Sequence, residues 1–336
     1  NGGFALTKNR KVGIGIVGAK FAAELHATAY ARCADANVVA VCSNRADEVE
    51  EFSARFGIEK TYLDYNQLIQ DPEVEVVSIC VPNFLHHEVA MAACKAGKHV
   101  VCEKPLATTM EDAIDMVQAF DKAGLRLMYA EDWNFAPALI RAKEIVDEGA
   151  IGRILYIRAK ESHNGSHSPF AQTLEYCGGG ALLHLGCHPA AFVRFITGQE
   201  VVEVVASTTG GLEENLVHKE MEGEDFGVAC LKLADGTRAL IEGNYITLGG
   251  MDDCVELYGT KGVLKVDLTF GSPLSVYSTE GYGYVLEKAD ISTGWTKPAV
   301  DEFYSLGYQT ELAEFVKCLK EDLPTPEGAK AYDGLA

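Results

Sequence analysis

The chain lacks an apolar run long enough to cross a bilayer. Its best candidate, Tyr176 to Val193, is broken by glycines, two histidines and a proline, whereas a span needs roughly 18 or more apolar residues in succession. A membrane span is excluded. Asn1 to Arg10 has no apolar core between a basic start and a cleavage site, so no signal peptide is expected there. Basic residues are scarce: Lys plus Arg is 29 against 49 Asp plus Glu, a formal net charge of −20. Such a field repels polyanions, and nucleic acid is not an expected partner. Cysteine pairs are missing too, because the ten cysteines lie singly, Cys42, Cys80 and Cys102 among them, with no CxxC. They read as buried thiols of a reducing cytoplasm. No internal repeat or low-complexity tract occurs.

What is present is a chain of 336 residues with 48% hydrophobic and 23% charged residues, enough for a large core and about two domains. Through about residue 130, short β-branched runs alternate with amphipathic stretches, the pattern of helices laid over a parallel sheet. Strands are expected at Val12 to Val17, Val38 to Cys42, Val76 to Cys80, His99 to Cys102 and Leu125 to Tyr129, with helices such as Asp47 to Phe56, His87 to Ala96 and Met110 to Ala123 between them. After Trp133 the texture changes. A helix over Pro137 to Glu148 leads to a strand at Ile154 to Ala159, a Gly/Ser/His-rich loop from Ser162 to Gly180, and one helix over Ala181 to Thr197. Consecutive strands then follow, with hairpin turns at Asp235-Gly236 and Lys261-Gly262. A helix over Asp301 to Lys320 closes this half, and Tyr332 to Ala336 reads as the opening of another helix that continues past the terminus. The expected division is 1–130 and 131–336.

Chemistry concentrates at strand ends. Directly after the first strand stands Gly18-Ala19-Lys20-Phe21-Ala22-Ala23, which keeps the first glycine of a dinucleotide-binding turn and its small last residue but has Lys20 in the middle. The helix it opens offers N–H groups and a positive dipole end to a pyrophosphate. After the second strand, Cys42-Ser43-Asn44-Arg45 carries no acid for a bare ribose diol; its hydroxyl, amide and guanidinium donors suit a 2′-phosphate, which favours NADP over NAD. The alternative leaves Arg45 a solvated residue opening the next helix, with Asp47 and Glu48 as surface partners. Val81-Pro82-Asn83-Phe84-Leu85-His86 and Cys102-Glu103-Lys104-Pro105 end the third and fourth strands, so Pro82, Asn83, His86, Glu103 and Lys104 are expected at the same crevice. Lys104 is placed to hydrogen-bond a substrate hydroxyl beside the nicotinamide, or else to pair with Glu103.

Gly18 with His26 eight residues on, Pro82-Asn83, Glu103-Lys104-Pro105, and Gly178-Gly179-Gly180 running to His184 and His188 resemble the landmarks of the Gfo/Idh/MocA (glucose-fructose oxidoreductase, inositol dehydrogenase) family. The resemblance implies an α/β Rossmann domain plus an α+β C-terminal domain with a large, mostly antiparallel open sheet. It implies a tightly bound nicotinamide cofactor, redox chemistry on a sugar or cyclitol hydroxyl, and Lys104 and His188 flanking the reacting carbon. One departure stands out, since the family's aspartate four residues before that histidine is His184 here. On one helix His184 and His188 share a face, so both are expected to meet substrate, or both to pack in the core. Pro189 biases His188 away from regular helix geometry.

His188 is therefore expected as acid/base, Lys104 as polarising donor and His184 as orienting partner. Trp133 and Asn134 are expected along the cofactor, with packing the alternative for Trp133. His163 and His167 are expected to line a carbohydrate pocket. Glu161 and the four histidines permit a metal by spacing, but the first pair sits in a loop and no metal is expected. The rival functions are a redox-assisted glycosidase or lyase, a non-catalytic nucleotide-binding regulator and a metal hydrolase. An uncovered sheet face would make the chain a homodimer or homotetramer.

Overall fold

A computed structural model describes residues 10–166, 168–269, 271, 274–283, 292–298 and 300–336. The chain divides into two compact units, one of Asn1–Glu131 with Tyr308–Ala336 and the other of Asp132–Gly307.

The first unit runs β1 (Val12–Val17), α1 (Phe21–Ala31), β2 (Ala36–Cys42), α2 (Ala46–Phe56), β3 (Lys60–Tyr62), α3 (Tyr65–Gln70), β4 (Val76–Ile79), α4 (His86–Lys95), β5 (His99–Glu103), α5 (Met110–Ala123) and β6 (Leu127–Ala130). β1 and β4 are buried along their whole length, as strands covered on both faces must be. α2 and α5 bury one stripe each, Val49 and Phe52 in the first, Ala113, Met116 and Phe120 in the second. The strand order is β3-β2-β1-β4-β5-β6, all parallel. This is the doubly wound order, with its direction reversing between β1 and β4. β3 and α3 were not expected: three residues, Lys60-Thr61-Tyr62, give no periodic signal at a sheet edge.

The second unit holds α6 (Pro137–Asp147), β7 (Ile154–Ser162), α7 (Leu174–Cys177), α8 (Ala181–His184), α9 (Cys187–Thr197), β8 (Val201–Thr208), β9 (Phe226–Leu233), β10 (Arg238–Asn244), β11 (Cys254–Gly259), β12 (Val263–Asp267), a ribbon of β13 (Val276–Ser278) and β14 (Gly294–Thr296), and α10 (Glu302–Ser305). Its large sheet is ordered β12-β11-β7-β10-β9-β8. Only β7 and β10 pair in parallel there; the remaining pairs are antiparallel. Burial alternates along β9 and β10, so one face of each packs into a core with Leu139 of α6 and Phe192, Val193 and Ile196 of α9. Both expected hairpins form.

The far end of the expected second domain is corrected. α11 (Tyr308–Glu321) and α12 (Ala331–Leu335) belong to the first unit, α11 lying along α1 and α12 on α5 and β6. α11 buries Leu312, Phe315, Val316 and Cys318 there. The single helix expected over Asp301 to Lys320 is broken at Gly307, which has φ +107° and sits where a Cβ would lie 2.2 Å from the Asp132 carbonyl oxygen. Among the described residues no helix is long and apolar enough to cross a membrane.

Candidate active site

In the first unit the site begins where β1 stops. Gly18 has φ +120°, and a Cβ there would lie 2.1 Å from the Cys80 carbonyl oxygen, so only glycine lets the ends of β1 and β4 meet. Its N–H donates to the Cys42 carbonyl at 2.8 Å. Ala19 and Lys20 then lead into α1, whose N-cap Lys20 makes no side-chain cap, while Ala23 is wholly buried. A tight glycine turn leading into a helix whose N-cap makes no side-chain bond fits a pyrophosphate.

At the end of β2 the expected donors are already engaged. The Glu48 carboxylate lies 2.9 Å from Lys20 Nζ and 3.1 Å from Arg45 Nε, and accepts from Ser43 Oγ at 3.2 Å. Arg45 also pairs with Asp47 at 2.9 Å. Asn44 is exposed beside them. The partners named in the alternative for Arg45 are thus the ones it has, and Lys20 shares one of them.

At the ends of β4 and β5, Pro82 precedes a turn at Asn83–Leu85. His86, expected at the cofactor, is fully buried, with ring nitrogens 2.8 Å from the Pro105 carbonyl and 3.0 Å from the Val81 carbonyl. Burial pushes its pKa down against those contacts. It ties two loops together. Glu103 spreads its carboxylate: Oε1 lies 2.8 Å from His26 Nε2, and Oε2 accepts the backbone N–H of Lys104 at 3.2 Å. His26 Nδ1 lies 2.6 Å from Ser78 Oγ, which Tyr30 reaches at 3.3 Å. Burial alone would lower His26, but the Cys80 sulfur and the Glu103 carboxylate outweigh it and hold the imidazole at about 10. Cys80 is itself pushed up by burial, with His26 pulling against that shift. Burial raises Glu103, and His26 reverses the shift to a net lowering. The half-buried Lys104 thus follows a buried ion pair.

In the second unit His188, 3% exposed, stands between two acids. Its Nδ1 is 3.3 Å from Asp132 Oδ1 and its Nε2 is 3.5 Å from Glu161 Oε2. The Trp133 ring stacks on it at 5.8 Å and 22°. Trp133 and Asn134 are each 2% exposed.

His184 and His188 do not share a helix face. The expected helix is broken at Leu185-Gly186 into α8 and α9, where Gly243 of β10 approaches so closely that a Cβ on it would lie 2.7 Å from both the Ala181 carbonyl oxygen and the Gly186 nitrogen. The turn is pressed onto the strand. Upstream, Gly180 abuts the Glu224 backbone, and that carboxylate accepts N–H groups from Gly180 at 3.2 Å and Leu182 at 3.0 Å. His184 Nε2 faces the Cys177 carbonyl at 3.4 Å and its Nδ1 faces the Tyr245 hydroxyl at 3.0 Å. A carbonyl only accepts, so Nε2 carries the proton and Nδ1 accepts from Tyr245. The His163 ring lies 5.1 Å from the Tyr245 ring, and His218 Nε2 is 2.8 Å from the Tyr245 carbonyl. His163 and His184 are gathered by Tyr245; His167 lies outside the described residues. Sequence reasoning missed Asp132, Tyr245 and the place of Glu48.

The doubly wound sheet with its glycine turn is the architecture of dinucleotide-binding domains. Kinship narrows the class: residues 12–131 match the model of the oxidoreductase family with an NAD-binding Rossmann fold, residues 139–265 match the GFO/IDH/MocA C-terminal domain, and the chain belongs to the Gfo/Idh/MocA family. It is 30% identical over 256 residues to myo-inositol 2-dehydrogenase of Thermotoga maritima, covering 76% of this chain and 75% of that one. It is 32% identical over 255 residues to 1,5-anhydro-D-fructose reductase of Ensifer adhaerens, covering 74% of each. Among solved structures it is similar to scyllo-inositol dehydrogenase of Lactobacillus casei with bound NAD(H) and scyllo-inositol, with a TM-score of 0.80, 26% identity and coverage of 97% and 93%.

Proposed function

We propose that the protein transfers a hydride between a nicotinamide dinucleotide and a secondary hydroxyl or ketone of a sugar, polyol or glycoside. The similar proteins named above act on a cyclitol or an anhydro-sugar, and the residues of this chain supply what that reaction requires. When bound, the cofactor supplies the hydride chemistry. His188 takes the hydroxyl proton during oxidation and returns it during reduction, with a carboxylate at 3.3 and 3.5 Å from its two nitrogens to balance the imidazolium. Trp133 holds the plane of that ring. Lys104 donates to the reacting oxygen, its backbone steadied by Glu103. His163 and His184, with His167, orient ring hydroxyls. The turn at Gly18, Ala19, Lys20 and Phe21 receives the pyrophosphate, Asn83 lies along the nicotinamide, and Ser43, Asn44 and Arg45 meet the adenosine end, where their donors suit NADP.

The single observation that carries this reading is the buried His188 imidazole between Asp132 and Glu161. The test is a panel of cyclitols and sugars with NAD and NADP, followed at the reduced-nicotinamide absorbance. Growth of that band with one of them is the expected result. Calorimetry in which the purified protein binds neither cofactor would sink the reading.

We also propose a homodimer or homotetramer built on the open sheet, where Val202, Val204 and Val205 of β8 are 59%, 57% and 66% exposed. Sedimentation showing monomer alone at micromolar concentration removes that proposal. The cytoplasm is the proposed compartment, in keeping with ten cysteines that all stand as thiols.

A further inference from the structure

The two nicotinamide cofactors differ only at the 2′ position of the adenosine ribose, and a doubly wound fold meets that position at the end of β2. Three donors of this chain converge there, Lys20 Nζ, Arg45 Nε and Ser43 Oγ, and all three turn onto Glu48 at 2.9, 3.1 and 3.2 Å. The Glu48 side chain is only 16% exposed, whereas those of Lys20 and Arg45 are 74% and 62% exposed. The carboxylate thus lies beneath a rim of cations. A phosphate monoester wants the same partners, an ammonium, a guanidinium and a hydroxyl. A ribose diol instead presents hydroxyl donors, which a carboxylate accepts.

We infer that Glu48 is a resident anion in the 2′-phosphate cradle and sets the choice between NAD and NADP. A 2′-phosphate has to take Lys20, Ser43 and Arg45 away from Glu48 and then sit beside its charge. A diol leaves the cluster whole. Glu48 therefore holds NADP affinity below what the three donors would otherwise give. This inference rests on the dinucleotide reading proposed above and sharpens its cofactor line.

The test is a set of calorimetric titrations of wild type, Glu48→Gln and the double variant Glu48→Gln/Arg45→Ala with NADP, NAD and the fragments 2′,5′-ADP and 5′-ADP. Glu48→Gln is expected to tighten NADP and 2′,5′-ADP about tenfold, ~1.4 kcal/mol, and to leave NAD and 5′-ADP within about threefold or weaker. Adding Arg45→Ala is expected to erase the gain. Unchanged NADP affinity in Glu48→Gln overturns the inference. So does an equal gain for NAD, which would mark a general charge effect. A wild type that binds neither cofactor overturns this inference together with the reading beneath it, whereas NAD binding with no selective gain overturns this inference alone. Melting curves of the three proteins check that each is folded.

Discussion

His26 in the first unit and His188 in the second are both buried imidazoles beside acids, yet their contacts differ in kind. His26 is fully buried, and both nitrogens make short contacts, 2.6 Å to Ser78 and 2.8 Å to Glu103. Its proton is fixed, with the pKa held at about 10. His188 has its acids at 3.3 and 3.5 Å, beyond the usual length of a charge-assisted hydrogen bond. The difference teaches that proximity to a carboxylate does not mark a catalytic histidine. Short contacts at both nitrogens make His26 a strut, and the role proposed for His188 turns on its longer ones.

Substitutions test that contrast, beginning with the largest effect. His188→Asn is expected to lower kcat by about 100-fold to 10,000-fold with cofactor affinity unchanged by calorimetry; a rate within twofold of wild type would break the comparison. His26→Leu strands the buried Glu103 carboxylate and is expected to cost about 3–5 kcal/mol of stability in urea denaturation, while His26→Leu/Glu103→Gln recovers part of that loss. Wild-type stability is also expected to depend on pH through His26. Its pKa is raised from 6.5 to about 10 on folding, so its contribution is complete below about pH 6.5 and is lost as pH rises through 10. The double variant should lack that alkaline decline, and retention of the full decline would assign it elsewhere. Asp132→Asn is expected to slow turnover by about tenfold while His188 is retained. The smallest change is Tyr245→Phe, which removes the donor to His184 Nδ1 and is expected to raise KM for substrate by a few fold, about 1 kcal/mol, with kcat nearly intact.

What the sequence made legible is what lies close together along it. Gly18 follows an apolar strand directly, and its need for a positive φ is a local fact, so both the turn and its strand could be read. The doubly wound half followed from apolar β-branched runs such as β1 and β4, broken in β4 only by Ser78, alternating with helices such as α5 that end in glycine. The break between His184 and His188 was not legible, because the strand residue the turn lies against, Gly243, comes from a distant part of the chain. Asp132 was equally hidden. Four residues before His188 the sequence carries His184, and the acid beside His188 comes from a turn preceding α6 instead. Glu48 was visible as a surface partner of Arg45, but nothing local said that Lys20 and Ser43 would join it.

The return of the C-terminal helices gives the order of synthesis a structural meaning. Tyr129 of β6 donates its N–H to the Ala329 carbonyl at 2.9 Å, Arg126 pairs with Asp322 at 3.1 Å, and Arg32 of α1 reaches Gln309 at 3.1 Å. Residues 308–336 complete a unit whose other part, 1–131, is translated before the whole of 132–307. At about 5–20 residues per second, the nascent parallel sheet waits on the order of ten seconds or more beside the ribosome with one flank of α1 bare, while Asp132–Gly307 emerges and folds.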